Sequence, residues 1–123
     1  MKHILFDLKY CISNDLLDDE EYVKESLKLA AEAAGCEILK IDSHKFDPQG
    51  VTAYALLAES HISIHTWPEN SIAKCDIFTC GVDNEPKKAI DLLHERIRLF
   101  CLYPHHKQQP YLVQFYQTNP SIH

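Results

Sequence analysis

The densest run of chemically competent side chains is AESHISIHTWPE, residues 58–69, followed closely by CDIFTCG, residues 75–81. Glu59, Ser60 and His61 set a carboxylate, a hydroxyl and an imidazole in a row, and His65, Cys75 and Cys80 add a second imidazole and two thiols. Zinc is the first chemistry to test, and it needs its nitrogens and sulfurs within about 2.0–2.3 Å of one point. On a strand His61 and His65 lie about 13 Å apart, and Cys75 and Cys80, an odd number apart, face opposite sides of their sheet. No metal ligand set is therefore expected. A serine hydrolase is the second: its triad is assembled from distant positions, and the glycine-flanked nucleophile elbow is absent around Ser60. A lone serine or histidine on a strand is more often an ordinary hydrogen-bonded residue than a catalytic one, so the cluster has meaning only through the elements that position it.

Residues 2–9 (KHILFDLK) read as a first strand, after which Asn14 and Asp15 offer N-cap oxygens to a helix over residues 16–34. Within that helix Tyr22, Val23, Leu27, Ala30, Ala31 and Ala34 recur at the spacing of one buried stripe, and Gly35 ends it in a left-handed conformation. A sheet is expected from residues 36–44, 51–58, 61–67 and 74–80, with Pro48, Gly50, Pro68 and Asn70 as breaks. The strand VTAYALLA, residues 51–58, is apolar at almost every position, which predicts cover on both of its faces. Pro86 suits a first helical turn, with Ile90, Leu93, Ile97 and Phe100 marking a second amphipathic helix. Residues 111–116 (YLVQFY) read as a last strand before a loosely ordered tail. No repeat, low-complexity tract or linker divides the chain, so a single α+β domain over residues 1–123 is expected, a two-layer sandwich of mostly antiparallel sheet with two helices on one face.

Composition agrees with one modest globular core: 123 residues, 46% hydrophobic and 24% charged. A chain of this size with a doubly apolar strand would gain stability from a partner. The formal charge of −6 and twelve scattered basic residues exclude a nucleic-acid footprint and mildly favour a cationic ligand. Five cysteines (Cys11, Cys36, Cys75, Cys80, Cys101), odd in number and without a signal peptide, fit a reducing cytoplasm. No apolar run approaches the roughly 20 residues of a membrane span.

The segment HKFDPQGVTAYALLAESHISIHTWPENSIAKCDIFTCG, His44 to Gly81, carries an ESH triplet, an IHTWPE strand and an FTCG cysteine in register. In these motifs the chain resembles the bacterial and archaeal S-adenosylmethionine decarboxylase proenzymes, from Met1 to about Phe100. The resemblance implies internal serinolysis of the Glu59–Ser60 bond, giving a beta chain of residues 1–59 and an alpha chain of residues 60–123. The Ser60 hydroxyl attacks the Glu59 carbonyl carbon, the ester eliminates to dehydroalanine, and loss of ammonia to water leaves a pyruvoyl group. That ketone would form a Schiff base with the substrate amine and accept the electrons released with carbon dioxide, the task pyridoxal phosphate performs elsewhere. The absence of a glycine-rich phosphate loop agrees with a cofactor made from the chain itself.

Family roles carry to matching positions. His65 corresponds to the histidine that assists processing, a proton transfer suited to imidazole, and Cys80 to the thiol that returns a proton to the substrate carbanion. Thr52 falls where relatives commonly have a processing serine. Phe46 matches an aromatic platform for adenine, near which a sulfonium is also attracted, and Glu69 matches a carboxylate that holds the ribose hydroxyls. For Phe46 a packed aromatic and for Glu69 a solvated turn residue are the plain alternatives; Trp67 reads as structural. The resemblance further implies a homodimer of processed protomers with sheets face to face, helices outside and residues of both subunits in each site. Beyond Phe100 the family pattern is lost, and His105 and His106 are expected to be solvated. The implied product, decarboxylated S-adenosylmethionine, is an aminopropyl donor for polyamine (spermidine) synthesis. Arginine and ornithine decarboxylases share the ESH, HTW and FTCG framework and remain alternatives, although the Phe46 platform suits a planar base better than a flexible guanidine. A non-catalytic partner of an active homologue also remains, against which stands the joint presence of Ser60, His65 and Cys80.

Overall fold

The computed structural model describes residues 2–9, 14–80 and 84–97, and residues 111–117 by their backbone. Six strands, β1 (Lys2–Lys9), β2 (Ile38–Lys45), β3 (Val51–Leu57), β4 (Ser60–Trp67), β5 (Ile72–Thr79) and β6 (Tyr111–Gln117), form one sheet in the order β2-β3-β4-β5-β1-β6. Every neighbouring pair is antiparallel. Helices α1 (Asn14–Leu17), α2 (Glu20–Ala33) and α3 (Pro86–Ile97) complete the described residues, with a 3-10 turn at Pro68–Asn70. Phe100, Gly81 and the expected tail with His105 and His106 lie outside the described residues.

The expected helix over 16–34 is two helices. Asp19 interrupts it: its carboxylate accepts from the Tyr22 backbone N–H at 3.0 Å and so caps a new helix, the local competition for backbone donors that makes aspartate a helix starter. At its other end α2 closes as foreseen on Gly35 (φ 77°). There Cys36 N–H reaches Ala31 O and Gly35 N–H reaches Glu32 O, both at 3.0 Å, in a Schellman motif. The buried stripe of α2 is Val23, Leu27, Ala30 and Ala31, and that of α3 is Ala89, Ile90, Leu93 and Ile97. α2 lies over β2 and β3 with α3 beside it. Both stripes share one core with Ile4, Phe6, Leu8, Val51, Ala53, Ala55, Leu57, Ile62, Ile64, Ala73 and Ile77.

Of the two covers expected for strand 51–58, its own chain supplies one. Val51, Ala53, Ala55 and Leu57 are buried under the helices, whereas Tyr54 and Leu56 are 40% and 45% exposed. Successive side chains alternate between faces, and helices occupy only one. The open face also carries Leu5 and Trp67, both more than a third exposed.

Thr66 joins three segments. Its buried hydroxyl donates to Leu17 O at 2.7 Å and accepts from Val51 N–H at 2.9 Å. Replacing it by valine keeps the shape but strands a buried donor and a buried acceptor, so Thr66→Val should lose about 3 kcal/mol of stability. The measurement is the urea-unfolding midpoint at unchanged slope and fixed protein concentration. An unchanged midpoint would show that water satisfies both groups.

Candidate functional site

The β3–β4 hairpin turns through only two residues, Ala58 and Glu59. Glu59 takes φ 63°, in the left-handed region, which costs a residue with a Cβ about 1–2 kcal/mol. Ala58 N–H donates to Glu37 O at 3.1 Å and ties the loop down. Ser60 opens β4 with its side chain on the helix-covered side, 6% exposed. Its buried Oγ has no hydrogen-bond partner among the described residues. A hydroxyl with no competing acceptor therefore sits beside the carbonyl of a strained residue. Glu59 itself is exposed.

Cys80 reaches the same end of the sheet. The β4–β5 register pairs His61 with Phe78, and continued by one residue it sets Ser60 opposite Thr79, the last residue of β5. Strands run about 4.8 Å apart, so the Cys80 backbone is about 6 Å from that of Ser60. Its thiol is free and exposed.

The remaining candidates gather at the opposite end of the strands. Thr52 and His65 are cross-strand partners, with Thr52 Oγ1 3.0 Å from His65 Nδ1. His65 is exposed, its ring tilted against Trp67 with centroids 6.2 Å apart. The turn Pro68–Asn70 then presents Glu69, exposed. Phe46 follows β2 at this same end, 46% exposed and edge-on to His44 at 4.6 Å. Its loop closes where Phe46 N–H donates to Gly50 O at 2.8 Å. Gly50 is required there, for φ is 109° and a Cβ would come within 3.3 Å of Thr66 O. The Gly50 N–H donates to Asp18 Oδ1 at 2.7 Å, and Lys45 Nζ lies 3.0 Å from the same oxygen. These two donors, the backbone one foremost, hold the Asp18 carboxyl below its ordinary pKa.

The seven candidates thus fall into two groups, Glu59, Ser60 and Cys80 at one end and Phe46, Thr52, His65 and Glu69 at the other. Five residues along one strand separate Ser60 from His65 by about 17 Å, and the odd spacing puts them on opposite faces. Within one chain His65 cannot reach Ser60.

A further polar group was not apparent in the sequence. On the open face His3, His61 and Ser63 converge on Asp76, with His3 Nε2 and His61 Nε2 at 2.7 and 3.0 Å from Oδ2 and Ser63 donating to Oδ1. Burial disfavours the Asp76 carboxylate, but these three partners outweigh it and hold its pKa below the ordinary value. The alternation of His61, Ser63 and His65 signals a shared face, but only strand pairing reveals that His3 and Asp76 meet there.

Comparison with known proteins places this geometry in context. The family model described as S-adenosylmethionine decarboxylase matches residues 2–99. A curated S-adenosylmethionine decarboxylase proenzyme of Prochlorococcus marinus (strain MIT 9211) is 50% identical over 97 residues, 79% of each chain. The proenzyme of the same name from Methanococcus aeolicus is 44% identical over 97 residues, 79% of this chain and 82% of the relative. The crystal structure of the adenosylmethionine decarboxylase from Aquifex aeolicus VF5 superposes with a TM-score of 0.77 at 32% identity, covering 94% of this chain and 87% of that one.

Proposed function

The chain belongs to the S-adenosylmethionine decarboxylase family, and from that premise we propose that it is a proenzyme that cuts itself between Glu59 and Ser60 and decarboxylates S-adenosylmethionine at a site shared by two copies. Its activity is that of a carboxy-lyase. The names of relatives from cyanobacteria and archaea favour S-adenosylmethionine over arginine or ornithine, and an active enzyme over a silent partner.

The observation that carries the reading is the Glu59–Ser60 junction. The left-handed backbone of Glu59 stores about 1–2 kcal/mol that breaking the peptide bond releases, and the unpartnered Ser60 Oγ is free to turn toward the Glu59 carbonyl carbon. Attack there yields an ester whose elimination separates residues 1–59 from 60–123. The chemistry fits a pyruvoyl group derived from Ser60, which would supply an electron sink for the charge left by departing carbon dioxide. Cys80, at the same end of the sheet, holds a proton for the substrate carbon.

His65 acts from a second copy. Its Nδ1 is held by Thr52 Oγ1, which leaves Nε2 to move a proton at the Ser60 junction of the partner. A two-fold arrangement of open faces reverses the strands of one copy against the other, so the end bearing Phe46, Thr52, His65 and Glu69 meets the end bearing Ser60 and Cys80. Exposed Leu5, Tyr54, Leu56 and Trp67 supply apolar surface for that homodimer. Phe46 then offers an aromatic face to adenine and to the sulfonium, and Glu69 accepts from the ribose hydroxyls. The free thiols of Cys36 and Cys80 support placement in the cytoplasm; no helix among the described residues is long and apolar enough to cross a membrane.

The test pairs intact mass with turnover. Freshly purified protein should contain a fragment ending at Glu59 and one beginning with a pyruvoyl group at residue 60. Carbon dioxide should be released from S-adenosylmethionine and not from ornithine or arginine offered separately. A chain that stays whole after long incubation, or release from arginine or ornithine alone, would overturn the reading.

A further inference from the structure

Three adjacent strands bring one donor each to a single point of the open face. His61 of β4 and His3 of β1 are both cross-strand partners of Phe78 on β5, one on either side of it, and Asp76 lies two residues earlier on β5 and so on the same face. The Phe78 ring supports both imidazoles, stacked on His61 at 5.9 Å and 16° and edge-on to His3 at 5.8 Å and 77°. Both histidines lean toward the carboxylate, and the donor atoms of all three residues lie within 4.8 Å of one another.

We propose that His3, His61 and Asp76 form a binding site for a divalent transition-metal ion of the zinc class, with two imidazole nitrogens and one carboxylate oxygen as ligands and a fourth position open. The donor set selects the class. Magnesium and calcium take oxygen ligands, whereas two imidazoles with a carboxylate suit zinc and its neighbours in the first transition row. The distances fit as well. Bonds of about 2.0–2.1 Å in a tetrahedral site set donors roughly 3.3 Å apart, so the present 2.7 and 3.0 Å open by a few tenths of an ångström, while the two imidazole nitrogens, within 4.8 Å of each other, close by up to about 1.5 Å. Those movements are within reach of side-chain torsions while the sheet backbone stays still. At present two imidazole N–H groups point at the same oxygen, and an ion would take the place of those protons. Ser63, bonded to the other carboxylate oxygen, positions Asp76 for one-oxygen ligation.

The site rests on the pairing of β4, β5 and β1 and not on self-cleavage, which would leave all three ligands in place. His3 and His61 side chains are 37% and 42% exposed in the single chain. Where a second copy covers this face the ion lies between two sheets, so it is best offered both after purification and during expression.

The probes are Zn²⁺ and, for its visible spectrum, Co²⁺, added to full chain freed of metal by a chelator. The expected result is one equivalent retained per chain after gel filtration, with the absorption of a four- or five-coordinate Co²⁺ site. His3→Ala and His61→Gln should each abolish stoichiometric retention. Ser63→Ala should weaken it about 10–100-fold, as loss of a positioning group does, and His44→Ala should leave it unchanged. Asp76→Asn keeps an acceptor for both imidazoles, so it should fold, as read by circular dichroism, and still fail to hold the ion. Absence of stoichiometric retention in the parent protein, or retention unchanged in His61→Gln and Asp76→Asn, overturns the proposal and leaves the cluster a hydrogen-bond network. Either result is independent of whether the Glu59–Ser60 bond is cut.

Discussion

Ser60→Ala should leave one uncleaved chain of 123 residues and reduce decarboxylation to background. Cleavage requires an oxygen within one residue of the Glu59 carbonyl, and alanine has none. Turnover requires an electron sink, and with no hydroxyl to eliminate, no ketone can be made at residue 60. This is the largest single effect expected anywhere in the chain, because the proposed mechanism gives one atom a part in both steps. The Ser60 Oγ has no hydrogen-bond partner among the described residues, so its removal breaks no such bond there and relieves a buried polar atom of its desolvation cost. The urea midpoint of the variant should therefore match or exceed that of the parent held before cleavage. A variant that is equally stable and still yields two fragments would remove Ser60 from the chemistry. A variant with a collapsed midpoint would instead show that the hydroxyl is structural.

Two inactive variants should restore one another when they share a dimer. In the proposed mechanism Ser60→Ala disables the end of the strands that is cut, and His65→Ala disables the end that supplies the proton-transfer group. In a mixed dimer, one site combines the two damaged ends and the other combines the two intact ones. Random pairing makes half of the dimers mixed, each with one working site of two, so co-expression should recover roughly a quarter of parental activity. Only the His65→Ala chain should be cleaved in the mixture, because it retains Ser60 and receives His65 from its partner. Mass spectrometry of separately tagged chains reads this directly. About 17 Å and opposite faces separate the two residues within a chain. No recovery from dimers shown to be mixed would mean that His65 does not act across the interface. His65→Ala that cleaves fully by itself would mean that it does not act in processing at all.

The candidates for the site are legible in short stretches of sequence, because they are held in short motifs. Glu59-Ser60-His61, the IHTWPE run and the FTCG cysteine each lie within one strand or turn, where residue type and spacing carry the information. The same locality made the stripes of α2 and α3 readable, along with the Gly35 terminus and most of the strands to within a few residues. The break at Asp19 is not legible because a capping side chain and a helix interior differ only in whether one carboxylate turns back on its own backbone. The composition of strand 51–58 calls for cover on both faces, and its own chain supplies one of them, since apolar composition records that a surface is to be buried but not by which molecule.

What tertiary structure alone decided is which residues meet. The pairing of Thr52 with His65, the segregation of Ser60 and Cys80 from Phe46 and Glu69, and the gathering of His3, His61 and Asp76 all depend on the register of strands far apart in the chain. A shift of one residue in any of those registers would send each side chain to the other face. Register is set by burying one whole face of the sheet under two helices at once, a property of the assembled core that no local stretch of sequence contains.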